Sequence, residues 1–217
     1  MSATGKRIVL STFGSLGDIH PYMAIALELQ ARGHRAVIAT SELYRAKIEG
    51  SGLGFHAVRP DVPRPDAGDP FFARLMDAAK GSERLFTELI IPHLRQSYED
   101  LKEAVAGADL LVSHMLTFGA STLVEQSKVK WVSTVLAPLS FFSLHDPPVL
   151  SGVPATRLLR RLGPGPVKAF SQLAKRVSRR WIEPYYQWRN ELGFAQSSHP
   201  LFEGQHAPQR VLGLFSP

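Results

Sequence analysis

Short apolar, β-branched runs alternate with longer helical patterns along this chain. The first run, Arg7–Phe13, reads RIVLSTF, and continuous runs of this kind are typical of strands buried in a parallel sheet. Further runs predict strands at Ala36–Thr40, Phe55–Val58, Ala108–His114, Trp131–Leu136 and Arg210–Phe215. The alternation predicts an α/β domain with a Rossmann-like, doubly wound and mostly parallel sheet.

Helical periodicity fills the intervals between these runs. It predicts helices at Tyr22–Ala31, Ser41–Ile48, Phe71–Ala79, Ser82–Ala106, Phe118–Gln126, Val167–Trp181 and Tyr185–Leu192. Pro21 is expected in the first turn of its helix, where proline is tolerated. Residues 59–70 and 137–154 are rich in proline and predict loops.

Length and composition indicate one globular domain covering residues 1–217. The chain has no cysteine, which excludes disulfides, thiolate metal sites and a cysteine nucleophile, and suits a cytoplasmic protein. We expect no secretion signal and no membrane span, because no apolar stretch is long enough for either. No His, Asp or Glu cluster has metal-ligand spacing, so we expect no metal site.

The positive charge is concentrated in one stretch of the chain. No acidic residue occurs between Pro147 and Ile182, whereas eight of the 25 basic residues do, which leaves 17 basic against 19 acidic residues elsewhere. Within this stretch Val167–Trp181 predicts an amphipathic helix. One face holds Val167, Phe170, Leu173, Ala174, Val177 and Trp181, and the other holds Lys168, Lys175, Arg176 and Arg179, with Arg180 at its edge.

This helix has two interpretations. The ordinary one is a surface helix whose basic face is solvated. The alternative is contact with anionic lipid headgroups, where each basic residue contributes about 1 kcal/mol, so that the protein is peripheral to the inner face of the membrane. Nucleic acid is not expected as a partner, since no recognition motif accompanies the charge.

The loop after the first strand is the first place to look for a site, because ligands of open α/β sheets bind beyond the carboxyl ends of the strands. Gly14 and Gly17 allow a tight turn, and Asp18 and His20 follow at the start of the helix. The loop lacks the G-x-G-x-x-G fingerprint of dinucleotide-binding domains, and no Gly-Lys-Ser/Thr follows. A nicotinamide- or flavin-binding domain is therefore a distant alternative.

The whole string G-S-x-G-D-x-x-P, a helix and then A-R-G-H resembles glycosyltransferase families 1 and 28. These families include lipid-modifying rhamnosyltransferases and sterol glucosyltransferases. The resemblance continues through ATSELYRAKIEGSGLGFHAVRP, ADLLVSHMLTFGAS, WVSTVLAPLSFFSLHDPP and VLGLFS, so it covers nearly the whole chain.

The resemblance implies the N-terminal, acceptor-binding half of a GT-B glycosyltransferase. Such enzymes have two Rossmann-like domains, and the C-terminal one grips the nucleotide sugar. That donor-binding domain is expected as a partner, on the same polypeptide or as a separate subunit, and this chain alone is expected to be inactive. The implied reaction is inverting transfer of a hexose from a UDP- or dTDP-sugar to a hydroxyl of a lipid-like or other hydrophobic acceptor, with no cofactor.

Asp18 is the first candidate for the base that takes the acceptor proton, since relatives with Gly-Asp carry an aspartate there. The alternative is a helix cap formed by the same side chain. His20 is a second candidate. His114 ends the fourth strand, close to where relatives with a histidine base place an aspartate, and we expect either an exchanged Asp18–His114 dyad or a structural histidine.

Two further groups of residues are candidates for substrate contacts. Gly14, Ser15 and Gly17 are expected near the donor phosphates, because helix amino ends attract anions. Phe141, Phe142, His145 and Asp146 are expected to line the acceptor pocket, or to serve as packing and turn residues. The main alternative for the whole chain is a non-catalytic acceptor-binding or membrane-recruiting subunit that pairs with a separate donor-binding subunit.

Overall fold

The computed structural model describes residues 5–61, 70–77, 80–147, 149, 155–195 and 197–215. The strands within them are β1 Arg7–Ser11, β2 Arg35–Thr40, β3 Gly54–Ala57, β4 Leu110–His114, β5 Lys130–Val135 and β6 Val211–Gly213. These described strands form one six-stranded sheet in the order β3-β2-β1-β4-β5-β6. All five pairings are parallel, which confirms the predicted Rossmann-like α/β fold.

Helices connect the strands. They are α1 Leu16–Ala31, α2 Arg45–Gly50, α3 Pro70–Leu75, α4 Gly81–Arg84, α5 Leu94–Ala104, α6 Gly119–Ser127, α7 Ala155–Leu162, α8 Pro164–Arg179 and α9 Glu183–Glu191. Short 3₁₀ turns occur at Glu42–Tyr44, Ile91–His93, Pro138–Phe141 and Glu203–Gln205. Residues 62–69, 78–79, 148 and 150–154 of the predicted loops and helices lie outside the described residues.

The sheet is covered on both faces, so its strands are buried on both sides. Ile8 and Leu10 of β1 face one way and pack in the core formed with α1 and α2. Val9 and Leu111 face the other way and pack in the core formed with α5, α6 and α9. Because β1 has β2 on one side and β4 on the other, the order of strands reverses between β1 and β4. Their carboxyl ends are where such folds bind ligands.

Helix α1 begins at Leu16, well before the predicted start at Tyr22. Ser15 is the N-cap, and Asp18 returns to it from the third helical position to form a capping box. Pro21 therefore lies in the second turn, and its predicted place in the first turn was wrong. Since proline has no N–H, it donates no bond to the Gly17 carbonyl.

The predicted helix Ser82–Ala106 is interrupted. Helix α4 leads into a π-helical turn, Leu85–Ile90, and a 3₁₀ turn, Ile91–His93, before α5 begins. Pro92 explains the interruption, because a proline inside an α-helix lacks a donor and its ring clashes with the carbonyl four residues earlier. The wider π turn before it accommodates that conflict.

Helix α8 buries only part of the predicted face, where Val167 is buried and Phe170, Ala174 and Trp181 are partly buried. Ser178 is buried, whereas Leu173 is 57% and Val177 41% exposed. A distant segment sets this rotation, because His199 Nε2 lies 3.3 Å from Ser178 Oγ and 3.2 Å from the Lys175 carbonyl oxygen. The prediction that Leu173 and Val177 lie on the packing face was therefore wrong.

Candidate functional site

The loop after β1 holds Asp18 by one oxygen. Asp18 Oδ2 accepts the Ser15 backbone N–H at 2.7 Å and the Ser15 hydroxyl at 3.0 Å. The Thr12 hydroxyl donates to the Asp18 carbonyl at 3.0 Å and ties the first turn of α1 to the end of β1. The other carboxylate oxygen, Oδ1, has no hydrogen-bond partner within the described part of the chain. One oxygen of this half-buried carboxylate is held by two hydrogen bonds, and the other makes none with the described residues.

Gly14 makes room for this carboxylate. Its φ is +135°, and a Cβ there would stand 2.3 Å from Asp18 Oδ2. The Gly14 carbonyl accepts the Tyr44 hydroxyl at 2.8 Å, which fixes the turn from the β2 side. Glycine is therefore required at position 14 so that the capping box can close.

Most amides of this turn already have acceptors. The Ser15 amide donates to Asp18, the Gly17 amide to Ser15 Oγ at 3.2 Å, and the Asp18 amide to the Ser15 carbonyl at 2.9 Å. Among the described residues the amides of Gly14 and Leu16 remain without one. A carboxylate occupies the place at the helix end that favours an anion. Placement of Gly14, Ser15 and Gly17 near the donor phosphates stays a prediction.

His114, at the end of β4, is 5% exposed. Its Nδ1 is buried and has no hydrogen-bond partner among the residues that the structure describes. Burial lowers the pKa of His114 to about 4, and the negative charge of Asp18 opposes that shift. The imidazole is therefore neutral at pH 7 and lies within electrostatic reach of Asp18. A catalytic Asp18–His114 dyad stays a prediction.

A buried hydroxyl network supports His114. The Tyr22 ring stands edge-on to the imidazole, with centroids 6.3 Å apart at 85°. The Tyr22 hydroxyl is hydrogen-bonded to the Thr134 hydroxyl, which donates to the Ser113 carbonyl at 3.1 Å. Burial raises the pKa of Tyr22 well above its ordinary value. Sequence reasoning missed Tyr22, although its spacing of four from Asp18 places both on one face of a helix.

His20 is not part of this cluster. It is exposed on α1, only two residues after Asp18. Side chains two residues apart in an α-helix point to opposite sides. The structure therefore separates His20 from the Asp18–His114 pair.

Phe141 and Phe142 line an open groove of about 330 Å³ beside α8. The Phe141 ring stacks on His206 with centroids 5.9 Å apart, and the Phe142 ring packs on Phe202 at 4.7 Å. The other lining residues are Leu144, Lys168, Ser171, Gln172, Lys175 and Glu203. The groove follows β5, which lies two strands from β1 and hence about 10 Å away along the same sheet edge.

His145 and Asp146 lie outside the lining of that groove. Both are exposed in a turn in which their backbone amides donate to Ser143 Oγ at 3.2 and 3.1 Å. The structure places them after the aromatic pair without bringing them into the groove. Their contact with an acceptor stays a prediction.

A second, narrow crevice of about 20 Å³ lies where β1 and β4 end. Hydroxyl groups meet there, with Ser11 Oγ 3.4 Å from Thr117 Oγ1. Its walls include the polar residues Arg59 and Ser97 and the apolar residues Phe13, Val58, Pro60, Ile90, Leu94, Leu116 and Phe118. At this volume it admits about one water molecule, so it is too small for an acceptor in this structure. Sequence reasoning missed it because its residues come from four separate segments.

The described residues offer neither a metal cluster nor a membrane-spanning helix. They contain no group of three or more His, Cys, Asp or Glu side chains that is able to hold a metal ion. None of the helices formed by these residues has the length and apolar character needed to cross a bilayer.

Comparison with known proteins gives this geometry a context. The sequence model described as "Glycosyltransferase family 28 N-terminal domain" matches residues 8–112. O-mycaminosyltylonolide 6-deoxyallosyltransferase of Streptomyces fradiae is 28% identical over 136 residues, which cover 58% of this chain and 30% of that protein. A sterol 3-beta-glucosyltransferase of Cryptococcus neoformans var. neoformans serotype D is 31% identical over 140 residues, which cover 61% of this chain and 8% of that protein.

The chain thus spans less than a third of the length of these curated relatives. Among solved structures, the glycosyltransferase of kitacinnamycin aligns with a TM-score of 0.61 and 15% identity, covering 96% of this chain and 46% of that one. At that identity the likeness shows the fold alone. Residues 8–112 are thus similar to the N-terminal domain of glycosyltransferase family 28, and the six-stranded parallel sheet agrees with that similarity.

Proposed function

We propose that this chain is the acceptor-binding domain of an inverting glycosyltransferase, which moves a hexose from a nucleotide sugar to a hydroxyl group of a hydrophobic acceptor. The observation that carries this proposal is that only one of the two carboxylate oxygens of Asp18 accepts hydrogen bonds from the described residues. Its Oδ2 is anchored in the capping box, while Oδ1 has no partner in the described part of the chain. The capping and catalytic interpretations of Asp18 are therefore compatible.

The proposed step needs one base. As the acceptor oxygen attacks the anomeric carbon from the face opposite the nucleotide, its proton passes to Asp18 Oδ1. The new C–O bond forms while the bond to the nucleotide phosphate breaks, and the nucleoside diphosphate leaves with that electron pair. The capping box holds the carboxylate in place during this step, so little reorganisation is required.

His114 is proposed as a positioning residue beside this base. With a pKa of about 4 it stays neutral at pH 7, so it places no positive charge beside Asp18. Its packing against Tyr22 keeps the imidazole fixed at the end of β4. His20, on the opposite side of α1, has no such position.

A hydrophobic acceptor suits the groove after β5, which presents the rings of Phe141 and Phe142. One relative is by name a sterol 3-beta-glucosyltransferase. We therefore propose an acceptor that offers one hydroxyl on a lipid-like or similarly apolar body.

The donor is proposed to be a UDP- or dTDP-sugar, with no further cofactor, bound mainly by a separate donor-binding domain. That domain is either a further part of the same polypeptide or another subunit. Support comes from the first turn, where Asp18 already occupies the anion-binding end of α1 and few amides remain for a phosphate.

The test is kinetic, in an enzyme that joins this chain to a donor-binding domain. Asp18→Asn should lower kcat by about 10²–10⁴-fold and change the acceptor KM little, because it removes the proton acceptor and keeps the size of the side chain. His20→Gln distinguishes the two candidate bases, since only a base at position 20 makes that variant slow. Full turnover by both Asp18→Ala and His114→Ala would contradict the proposal and favour a non-catalytic binding subunit.

A further inference from the structure

Helix α8 exposes apolar and basic side chains on the same side. Leu173 and Val177 are 57% and 41% exposed, and Arg176 and Arg180 are exposed beside them. With 3.6 residues per turn, these four positions fall within an arc of about 100° around the helix. An aliphatic pair flanked by two guanidinium groups therefore faces away from the domain.

The positive charge of this helix is only partly compensated. Lys175 and Arg179 pair with glutamates at 2.7 and 3.6 Å. Lys168, Arg176 and Arg180 have no acidic partner anywhere in the described residues. The segment itself supplies no carboxylate, because no acidic residue occurs between positions 147 and 182. Ordinary exposed helices intersperse both signs of charge.

Helix α7 extends the same character. It exposes Leu158 at 58% and Leu162 at 55%, together with the basic residue Arg161, and it meets α8 at Gly163. We call the exposed residues Leu158, Arg161, Leu162, Leu173, Arg176, Val177 and Arg180 the α7–α8 surface. Four large aliphatic side chains in one basic two-helix segment are more than scattered single exposures.

We propose that the α7–α8 surface docks on a bilayer that contains anionic lipids. The aliphatic side chains reach the boundary between headgroups and acyl chains, while the guanidinium groups stay at headgroup level by extending their flexible stems. Anionic headgroups supply the negative charge that the sequence lacks between positions 147 and 182. Nucleic acid fits less well, since a phosphate backbone makes no use of Leu173 and Val177.

Helix α8 also contributes to the groove that contains Phe141 and Phe142, but with its other side. Lys168, Ser171, Gln172 and Lys175 line that groove. At 3.6 residues per turn they lie on the side of the helix away from Leu173 and Val177. The docking proposal is therefore independent of the proposed function.

Sedimentation of the 217-residue chain with vesicles tests the docking. Vesicles of phosphatidylcholine alone are compared with vesicles that also contain phosphatidylglycerol. The chain should bind the anionic vesicles at least tenfold more tightly, and added salt should weaken that binding. Arg176→Gln with Arg180→Gln should lower the partition coefficient about 30-fold. Leu173→Ser with Val177→Ser should lower it about tenfold.

Matched variants elsewhere on the chain serve as controls. Leu27→Ser with Leu192→Ser changes two leucines that are 43% and 39% exposed, and Arg35→Gln with Lys47→Gln removes two charges. Both should bind within about twofold of the parent, with unchanged circular dichroism, since neither pair lies on the α7–α8 surface.

Three results would overturn the docking proposal. The first is that the chain binds neutral and anionic vesicles equally well, or binds neither. The second is that the control variants lose as much vesicle affinity as the α8 variants. The third is tighter binding to an oligonucleotide, unaffected by substitution of Leu173 and Val177. None of these readouts depends on sugar transfer, so a failure of docking is distinguishable from a failure of the proposed function.

Discussion

Replacing Gly14 by alanine should destabilise the fold by about 2–4 kcal/mol. At a φ of +135° an L-residue is strained, which costs about 1–3 kcal/mol. The new Cβ would also stand 2.3 Å from Asp18 Oδ2, so the carboxylate has to leave the Ser15 amide. Loss of that N-terminal cap costs about 1 kcal/mol more. The same displacement should slow sugar transfer, because the proposed base moves with the cap.

Urea unfolding followed by circular dichroism measures this change. The midpoint should fall in Gly14→Ala while the dependence of the unfolding free energy on urea concentration stays constant. Gly17→Ala is the matched control, since it lies in the same turn at a helical position where a Cβ meets only Ser15 Oγ at 3.4 Å. It should stay within about 1 kcal/mol of the parent or gain stability. A Gly14→Ala protein as stable as Gly17→Ala would refute this account of the turn.

Three further predictions concern stability, each measured by urea unfolding. Burial lowers the pKa of His114 from 6.5 in the unfolded chain to about 4 in the folded one. The free energy of unfolding should therefore be highest above pH 6.5 and should fall by up to about 3 kcal/mol as the pH drops toward 4. His114→Gln should flatten that profile, and an unchanged profile contradicts the cause. Arg189→Met should lower the free energy of unfolding by about 2–3 kcal/mol, because the guanidinium is buried and donates to Thr122 Oγ1 at 2.7 Å. A decrease below about 0.5 kcal/mol would contradict this role. Trp131→Phe should lower the free energy of unfolding by about 1 kcal/mol, because it removes the indole N–H that donates to Ser113 Oγ at 2.8 Å. A variant as stable as the parent would refute this.

The sheet was predictable because parallel strands buried on both faces read as short β-branched runs. The strands predicted at Arg7–Phe13, Ala36–Thr40 and Ala108–His114 are present as β1, β2 and β4, and they pair in parallel. Helix details were less predictable where tertiary contacts decide. The rotation of α8 depends on His199, a residue twenty positions beyond the helix, and no periodicity within α8 contains that information.

The site was predictable only in part. The sequence placed Asp18 at the start of the helix after β1 and His114 at the end of β4, and the topology makes those two strands neighbours at the reversal of strand order. It did not indicate that one carboxylate oxygen is used by the cap, because that depends on the backbone turn at Gly14. Nor did it separate Phe141 and Phe142 from the turn that follows them, which a left-handed residue at Phe142 redirects.

The central claim is that this chain carries the acceptor side and the base, while the nucleotide sugar binds mainly elsewhere. Calorimetric titration of the 217-residue chain with UDP- and dTDP-sugars tests it most directly. The account predicts no detectable binding, because the anion-binding end of α1 is already occupied by Asp18. Clear binding at micromolar affinity would mean that this domain has its own nucleotide site, and would contradict the proposed division between acceptor and donor domains.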